Sequence, residues 1–134
     1  ALARAVRRGV DVRIMVPGSS DVRVIEWAGT YALRALVKAG VKILRWRGPM
    51  LHAKTATIDA TWSTIGSYNF DAQSRFSNLE VTVEILDPAT AQTLVHNFER
   101  GVANCDPFDE DTWKKLPWWK KALSWLAFRF RKWL

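Results

Sequence analysis

Apolar and polar residues alternate over residues 11–17 (DVRIMVP), 41–46 (VKILRW) and 79–86 (LEVTVEIL), the period of two expected of a β-strand with one buried face. Between the first two, Gly18, Ser19 and Ser20 form a turn and Ser20 or Asp21 caps a helix. Val24, Ala28, Tyr31, Leu33, Leu36 and Val37 then recur at near-helical spacing until Gly40 stops it. The opening ALARAVRRG reads as a helix already under way, so the chain is expected to be incomplete at its N-terminus. Beyond Arg47-Gly48-Pro49, residues 51–59 and 62–66 add two further strands, and Pro88 opens a helix through ATAQTLVHNFERGVANC. The acidic stretch 106–111 reads as a linker to the tail. The expected fold class is α/β, a mixed β-sheet flanked by helices, with a basic amphipathic helix at the C-terminus.

Length is that of one domain: 134 residues can bury a single core. The net charge of +7 invites anionic partners, and its distribution narrows the choice. Residues 1–112 hold 13 Lys or Arg against all 13 Asp and Glu, whereas residues 113–134 hold seven basic residues and no acid. The body is neutral and the tail carries the excess. A groove tracking a nucleic-acid strand should place positive charge near its site, so no nucleic acid is expected as partner. Cys105 is the single cysteine, which excludes an intrachain disulfide and a thiolate metal cluster.

The stretch LHAKTATIDATWSTIGSYNF carries the chemistry. His52 and Lys54, two apart on a strand, point to one face, so an imidazole and an ammonium can converge on one anion. An imidazole with its ordinary pKa of ~6.5 serves as nucleophile or general acid/base, and the ammonium neutralises a phosphoryl oxygen as charge builds. Gly66-Ser67 and Asn69 end a short strand at a turn, where glycine permits close approach and short polar groups can hold the same anion, with no metal or cofactor implied. Glu80, after Asn78, is the candidate carboxylate for orienting the histidine, although an alternating strand also places glutamates on its wet face. Asp59 before Ala60-Thr61 reads as a hairpin-turn residue, and His96 as a surface or packing histidine. Arg45 and Arg47, flanking Trp46, reach a phosphate or merely charge a strand end.

The pattern His52-x-Lys54, four residues, Asp59, six residues, Gly66-Ser67, then Asn69, followed by FDAQSRFSNLEV, resembles the signature of the phospholipase D superfamily. With the flanks RGVDVRIMVPGSSDV and AGVKILRWRGPMLHAKTATID, the chain is similar to the C-terminal half of bacterial cardiolipin synthases over roughly residues 1–86. The resemblance implies a phospholipase D-like catalytic half-domain over residues 1–112 and a separate tail over 113–134. It implies phosphatidyl transfer between two phosphatidylglycerol molecules through a phosphohistidine, with glycerol released and no cofactor required. Two histidines from two motifs are needed, so the partner is a second motif-bearing half in cis or in a homodimer, and this chain alone would be inactive. His52 is then the acid/base partner, Lys54 and Asn69 hold phosphoryl oxygens, Ser67 and Glu80 orient His52, and Asp59 and Gly66 are structural members of the motif. Gln73-Ser74 stands where the family often has Arg before the second serine, which bears on headgroup contacts. The rival readings are a phospholipase D-type hydrolase, a superfamily nuclease, and a catalytically incomplete membrane-binding half-domain.

The tail WKKLPWWKKALSWLAFRFRKWL holds five of the eight tryptophans. On a helical wheel Trp119, Ala122, Leu123, Leu126, Ala127, Phe130, Trp133 and Leu134 gather on one side and Lys120, Lys121, Ser124 and Arg131 on the other; Trp125 and Phe128 break the pattern. Its uncharged run is far below the ~20 residues of a spanning helix, so it would lie in a membrane interface. The membrane-contact candidates are Trp118, Trp119, Lys120, Lys121, Trp125, Arg129, Arg131, Lys132 and Trp133. An anionic phospholipid substrate and a membrane surface are the expected partners, with the protein on the cytoplasmic side of a bacterial inner membrane. The alternative is a C-terminal helix packing its Trp and Phe face on the body.

Overall fold

The computed structural model describes residues 1–19, 23–69, 74 and 77–130, with Arg23 known by its backbone alone. The proposed caps Ser20 and Asp21, Gln73, and the tail residues Arg131, Lys132, Trp133 and Leu134 lie outside the described residues. Contacts divide the chain into two units, one of residues 1–51 with 104–134 and one of residues 52–103.

The first unit is built on the expected strand, helix, strand pattern. After α1 (Leu2–Arg7), β1 (Arg13–Pro17) lies parallel to β2 (Lys42–Trp46), with Arg13 opposite Lys42 and Pro17 opposite Trp46. The crossover between these parallel strands is α2 (Arg23–Lys38), which ends before Gly40 at φ 86°, a backbone angle natural to glycine. Val41, Ile43, Phe108 and Trp113 form the buried core, with Ile14, Val16, Tyr31, Leu33, Leu36 and Val37 packed on it. Both strands and the inward stripe of α2 therefore meet in one apolar layer, as their periodicities require.

The acidic stretch 106–111 is not a linker. Its first part belongs to β6 (Cys105–Phe108), antiparallel to β2 with Phe108 opposite Ile43, and its last to α4 (Glu110–Lys115). Among the described residues the strand order is β1-β2-β6, so β6 is an edge, where Pro107 can lack a donor without breaking a central ladder. Asp109 caps α4 by accepting from the Thr112 backbone N–H at 2.7 Å. Trp113 on that helix is 6% exposed, so the first residue of the expected tail is part of the core. The last described helix, α5 (Trp118–Arg129), packs on α2, where the Phe128 ring lies 5.0 Å from Tyr31.

The second unit holds an antiparallel sheet of β3 (Thr55–Ile58), β4 (Trp62–Gly66) and β5 (Thr82–Leu86), followed by α3 (Pro88–Val102), which contacts all three strands. Ser63, opposite Thr57 and Ile85, is fully buried. Pro88 opens α3 as expected, and Asp87 caps it by accepting from the Thr90 N–H at 2.7 Å. The α/β class is thus realised as two three-stranded sheets flanked by helices.

Asp59, Ala60 and Thr61 join β3 to β4; Asp59 and Ala60 have the left-handed φ of 53° and 48°, and the Thr61 N–H closes the turn on the Ile58 carbonyl at 3.2 Å. Left-handed backbone places Cβ against the following carbonyl in an L-residue. Ala60→Gly is therefore expected to raise stability by about 0.5–1 kcal/mol, read as a higher urea midpoint at unchanged slope.

Candidate active site

The motif residues other than Asp59 lie around the end where β3 begins and β4 ends. The Gly66 N–H donates to the Lys54 carbonyl at 3.0 Å, continuing the register that pairs Thr55 with Ile65, while Gly66 itself lies opposite Thr82. Lys54, Gly66 and Thr82 therefore stand side by side on one face across three strands. A Cβ on Gly66 would meet the Val81 carbonyl oxygen and come within 2.6 Å of Thr82 Oγ1, so only glycine lets β5 close over this position. His52 lies two residues before Lys54, outside the assigned strand and exposed. Asp59 sits at the opposite end of the hairpin, in the turn.

Beyond β4 the chain is locked to the approach of β5. The Ser67 N–H donates to the Val81 carbonyl at 2.9 Å, and Ser67 Oγ accepts from the Val81 N–H at 3.0 Å. That hydroxyl donates to the Glu80 carboxylate through a short hydrogen bond, and Asn78 Nδ2 donates to the other carboxylate oxygen at 3.3 Å. Glu80 also takes a hydrogen bond from Ser74, whose hydroxyl accepts from the Asn69 N–H at 3.2 Å. One carboxylate thus joins Ser67, Asn78 and Ser74, and through Ser74 it reaches Asn69. Ser74 is 5% exposed and is a link that spacing alone did not single out; its signal was the FDAQSRFSNLEV stretch after the motif.

Hydrogen bonds from Ser67, then Ser74 and Asn78, hold the Glu80 carboxyl below the usual carboxylate range, and the Lys54 ammonium lowers it further. Lys54 and Glu80 therefore share an electrostatic environment. Among the described residues His52 makes no hydrogen bond, and the partners of Glu80 are the two serines and Asn78 rather than the imidazole. Arg45, a phosphate-contact candidate, donates to Thr30 Oγ1 at 2.7 Å and stacks its guanidinium 4.7 Å from the Phe108 ring. Arg47 pairs with Asp106 at 3.7 Å. His96 is exposed on α3. Among the described residues no group of three His, Cys, Asp or Glu side chains is placed to hold a metal ion.

Glu80 is one of several acids whose pKa is lowered. Asp11 is held down by the Lys42 ammonium, Asp87 by the Thr90 hydroxyl and N–H, and Asp109 by the Thr112 N–H and hydroxyl. Each contributes stability above its unfolded pKa that is lost as pH falls through the lower folded value. The urea midpoint is expected to fall steadily from pH 6 to pH 3; a midpoint flat over that interval would contradict these contacts.

Residues 1–102 match the family described as cardiolipin synthase, PLD-like domain. Over 131 residues the chain is 37% identical to cardiolipin synthase B of Salmonella typhi and of Escherichia coli K12, covering 97% of this chain and 32% of each relative. It is 33% identical over 130 residues to cardiolipin synthase A of Yersinia pseudotuberculosis, 97% of this chain and 27% of that protein. The chain therefore spans about a third of the length of these relatives. The crystal structure of a phospholipase D family member, Nuc, from Salmonella typhimurium superimposes with a TM-score of 0.68 at 19% identity, over 81% of this chain and 70% of that one, which establishes the shared fold. With about three quarters of its length matched by the family, the chain belongs to the cardiolipin synthase PLD-like domain family.

Proposed function

We propose that this chain is one histidine-bearing half of a phosphatidyltransferase of the cardiolipin synthase type. The observation that carries the reading is the Glu80 carboxylate tying Ser67 and, through Ser74, Asn69 to the sheet end that also holds Lys54. Such a cluster is suited to a phosphodiester: an ammonium and neutral donors meet the phosphoryl oxygens, and the nearby imidazole handles protons.

In the proposed cycle a histidine of a second motif attacks the phosphorus of phosphatidylglycerol. The bond to the glycerol headgroup breaks, and His52 protonates the departing oxygen, leaving a phosphatidyl-histidine and free glycerol. His52 then takes the proton from a hydroxyl of a second phosphatidylglycerol, whose oxygen attacks phosphorus and displaces the histidine nitrogen to give cardiolipin. Lys54 and Asn69 hold phosphoryl oxygens, Ser67 and Glu80 position the site, and Asp59 and Gly66 shape the hairpin. Only side chains act, with no metal or cofactor. Residues 1–112 make up the half-domain in this reading and 113–134 its basic tail, anchored in the core by Trp113. The second motif comes from the same polypeptide or from a second copy. Exposed Ile65, Val81 and Val83, with Ile65 opposite Val83, offer an apolar surface that such a half would cover.

A lipid substrate places the protein at a bacterial inner membrane, on its cytoplasmic side. Among the described residues no helix is long and apolar enough to cross a membrane, so attachment through an interfacial helix is part of the proposal. Incubating the polypeptide that carries both motifs with labelled phosphatidylglycerol should yield cardiolipin and glycerol in equal amounts. Phosphatidic acid as the product would assign a hydrolase instead, and cleavage of DNA with no lipid turnover a nuclease.

A further inference from the structure

Packing on α2 covers one side of α5, and that side includes Ser124, which the helical wheel sets with the lysines. Ser124 and Ala127 are buried, facing a helix whose Ala28 and Thr30 are also buried, and Phe128 meets Tyr31. At about 100° per residue, the opposite side of α5 presents Trp118, Trp125 and Arg129 within one narrow arc. Trp118 is 80% exposed and Trp125 54%, and Trp119, Leu126 and Phe130 stand exposed on the flank. Beside that flank an apolar groove of about 260 Å³ runs to α2, lined by Val24, Trp27, Leu123, Leu126, Ala127 and Phe130.

Aromatic surface of this extent, left in water, marks a contact surface. Its charge identifies the partner. Residues 113–134 hold seven basic side chains and no acid, and among the described residues no carboxylate pairs with Lys115, Lys120 or Arg129. Lys120 Nζ lies 5.4 Å from the Trp119 ring centroid, a cation and an indole presented together. Tryptophan bodies at headgroup level with cations among anionic headgroups are what an interfacial helix offers a bilayer.

We infer that α5 docks in the plane of an anionic phospholipid bilayer through the Trp118, Trp125 and Arg129 face, with the groove between α5 and α2 open to acyl chain. The inference rests on the membrane location proposed above and not on the chemistry of His52. It also specifies the face: the helix turns Ser124, Ala127 and Phe128 to the protein and Trp118, Trp125 and Arg129 to lipid.

Sedimentation of the full chain with vesicles tests it. Binding should be strong on phosphatidylcholine vesicles containing phosphatidylglycerol, weak on phosphatidylcholine alone, and reduced by salt. Trp118→Ala with Trp125→Ala should weaken binding at least about tenfold. Lys120→Gln with Arg129→Gln should weaken it about thirtyfold, from roughly 1 kcal/mol per cation at an anionic surface. All four side chains are exposed, so far-ultraviolet circular dichroism should be unchanged. Equal binding to both vesicle types, or binding untouched in both double variants, would overturn the inference. So would self-association of the chain in ultracentrifugation that the tryptophan variant alone abolishes while vesicle binding persists. Turnover of detergent-dispersed phosphatidylglycerol by the polypeptide that carries both motifs separates the two proposals: its absence with vesicle binding intact counts against the catalytic reading alone.

Discussion

His52→Ala, made in the polypeptide that carries both histidine motifs, is expected to lower phosphatidyl transfer by about a thousandfold or more while leaving vesicle binding and the urea midpoint unchanged. A positioned acid/base group contributes about 10²–10⁴ to one proton transfer. In the proposed cycle this imidazole serves twice, protonating the leaving glycerol and then deprotonating the incoming hydroxyl, so its loss slows both halves. The stability expectation is as specific as the kinetic one. His52 is exposed and makes no hydrogen bond among the described residues, so truncation removes little that holds the fold. Activity within tenfold of the parent would remove His52 from the site. A large loss of stability would leave the kinetic result without its meaning.

Trp113→Ala should destabilise the chain by about 3–5 kcal/mol, seen as a lower urea midpoint. The indole is 6% exposed, lies edge-on to Tyr31 with centroids 6.1 Å apart, and has the Arg34 guanidinium 4.8 Å from its ring. Its removal opens a cavity in the core formed by Val41, Ile43 and Phe108. Against the roughly 5–15 kcal/mol that holds a typical domain together, such a loss is large. Trp118→Ala, at an exposed position five residues on, should stay within about 0.5 kcal/mol of the parent. A change below about 1 kcal/mol at Trp113 would contradict its place in the core. Deleting residues 113–134 removes this core residue together with the lipid-facing ones, which makes point variants the cleaner probe of the tail.

Much of the site was legible because its spacing reflects local geometry. A spacing of two from His52 to Lys54 predicts one strand face, although β3 begins only at Thr55, and Asp59-Ala60 between two alternating runs means a turn. The partners of Glu80 were not legible in the same way. Ser67 lies thirteen residues from Glu80, and the register of β4 on β5 brings them together. Ser74 closes the network from a stretch with no strand period to announce it.

By itself, then, the sequence determined the local elements and the candidate motif: strands by period two, helices by caps and near-helical stripes, and the motif by six residue types at set gaps. These are properties of neighbours along the chain, which the backbone's own geometry converts into shared faces. Tertiary structure decided what depends on distant partners. CDPF, polar and holding a proline, is a strand only because the free edge of β2 accepts it. Trp113 is core rather than tail because β2, α2 and α4 converge on it. Nor does the wheel choose the inward face of α5: it sets Ser124 with Lys120 and Lys121 on the polar side, yet packing on α2 buries Ser124 together with Ala127.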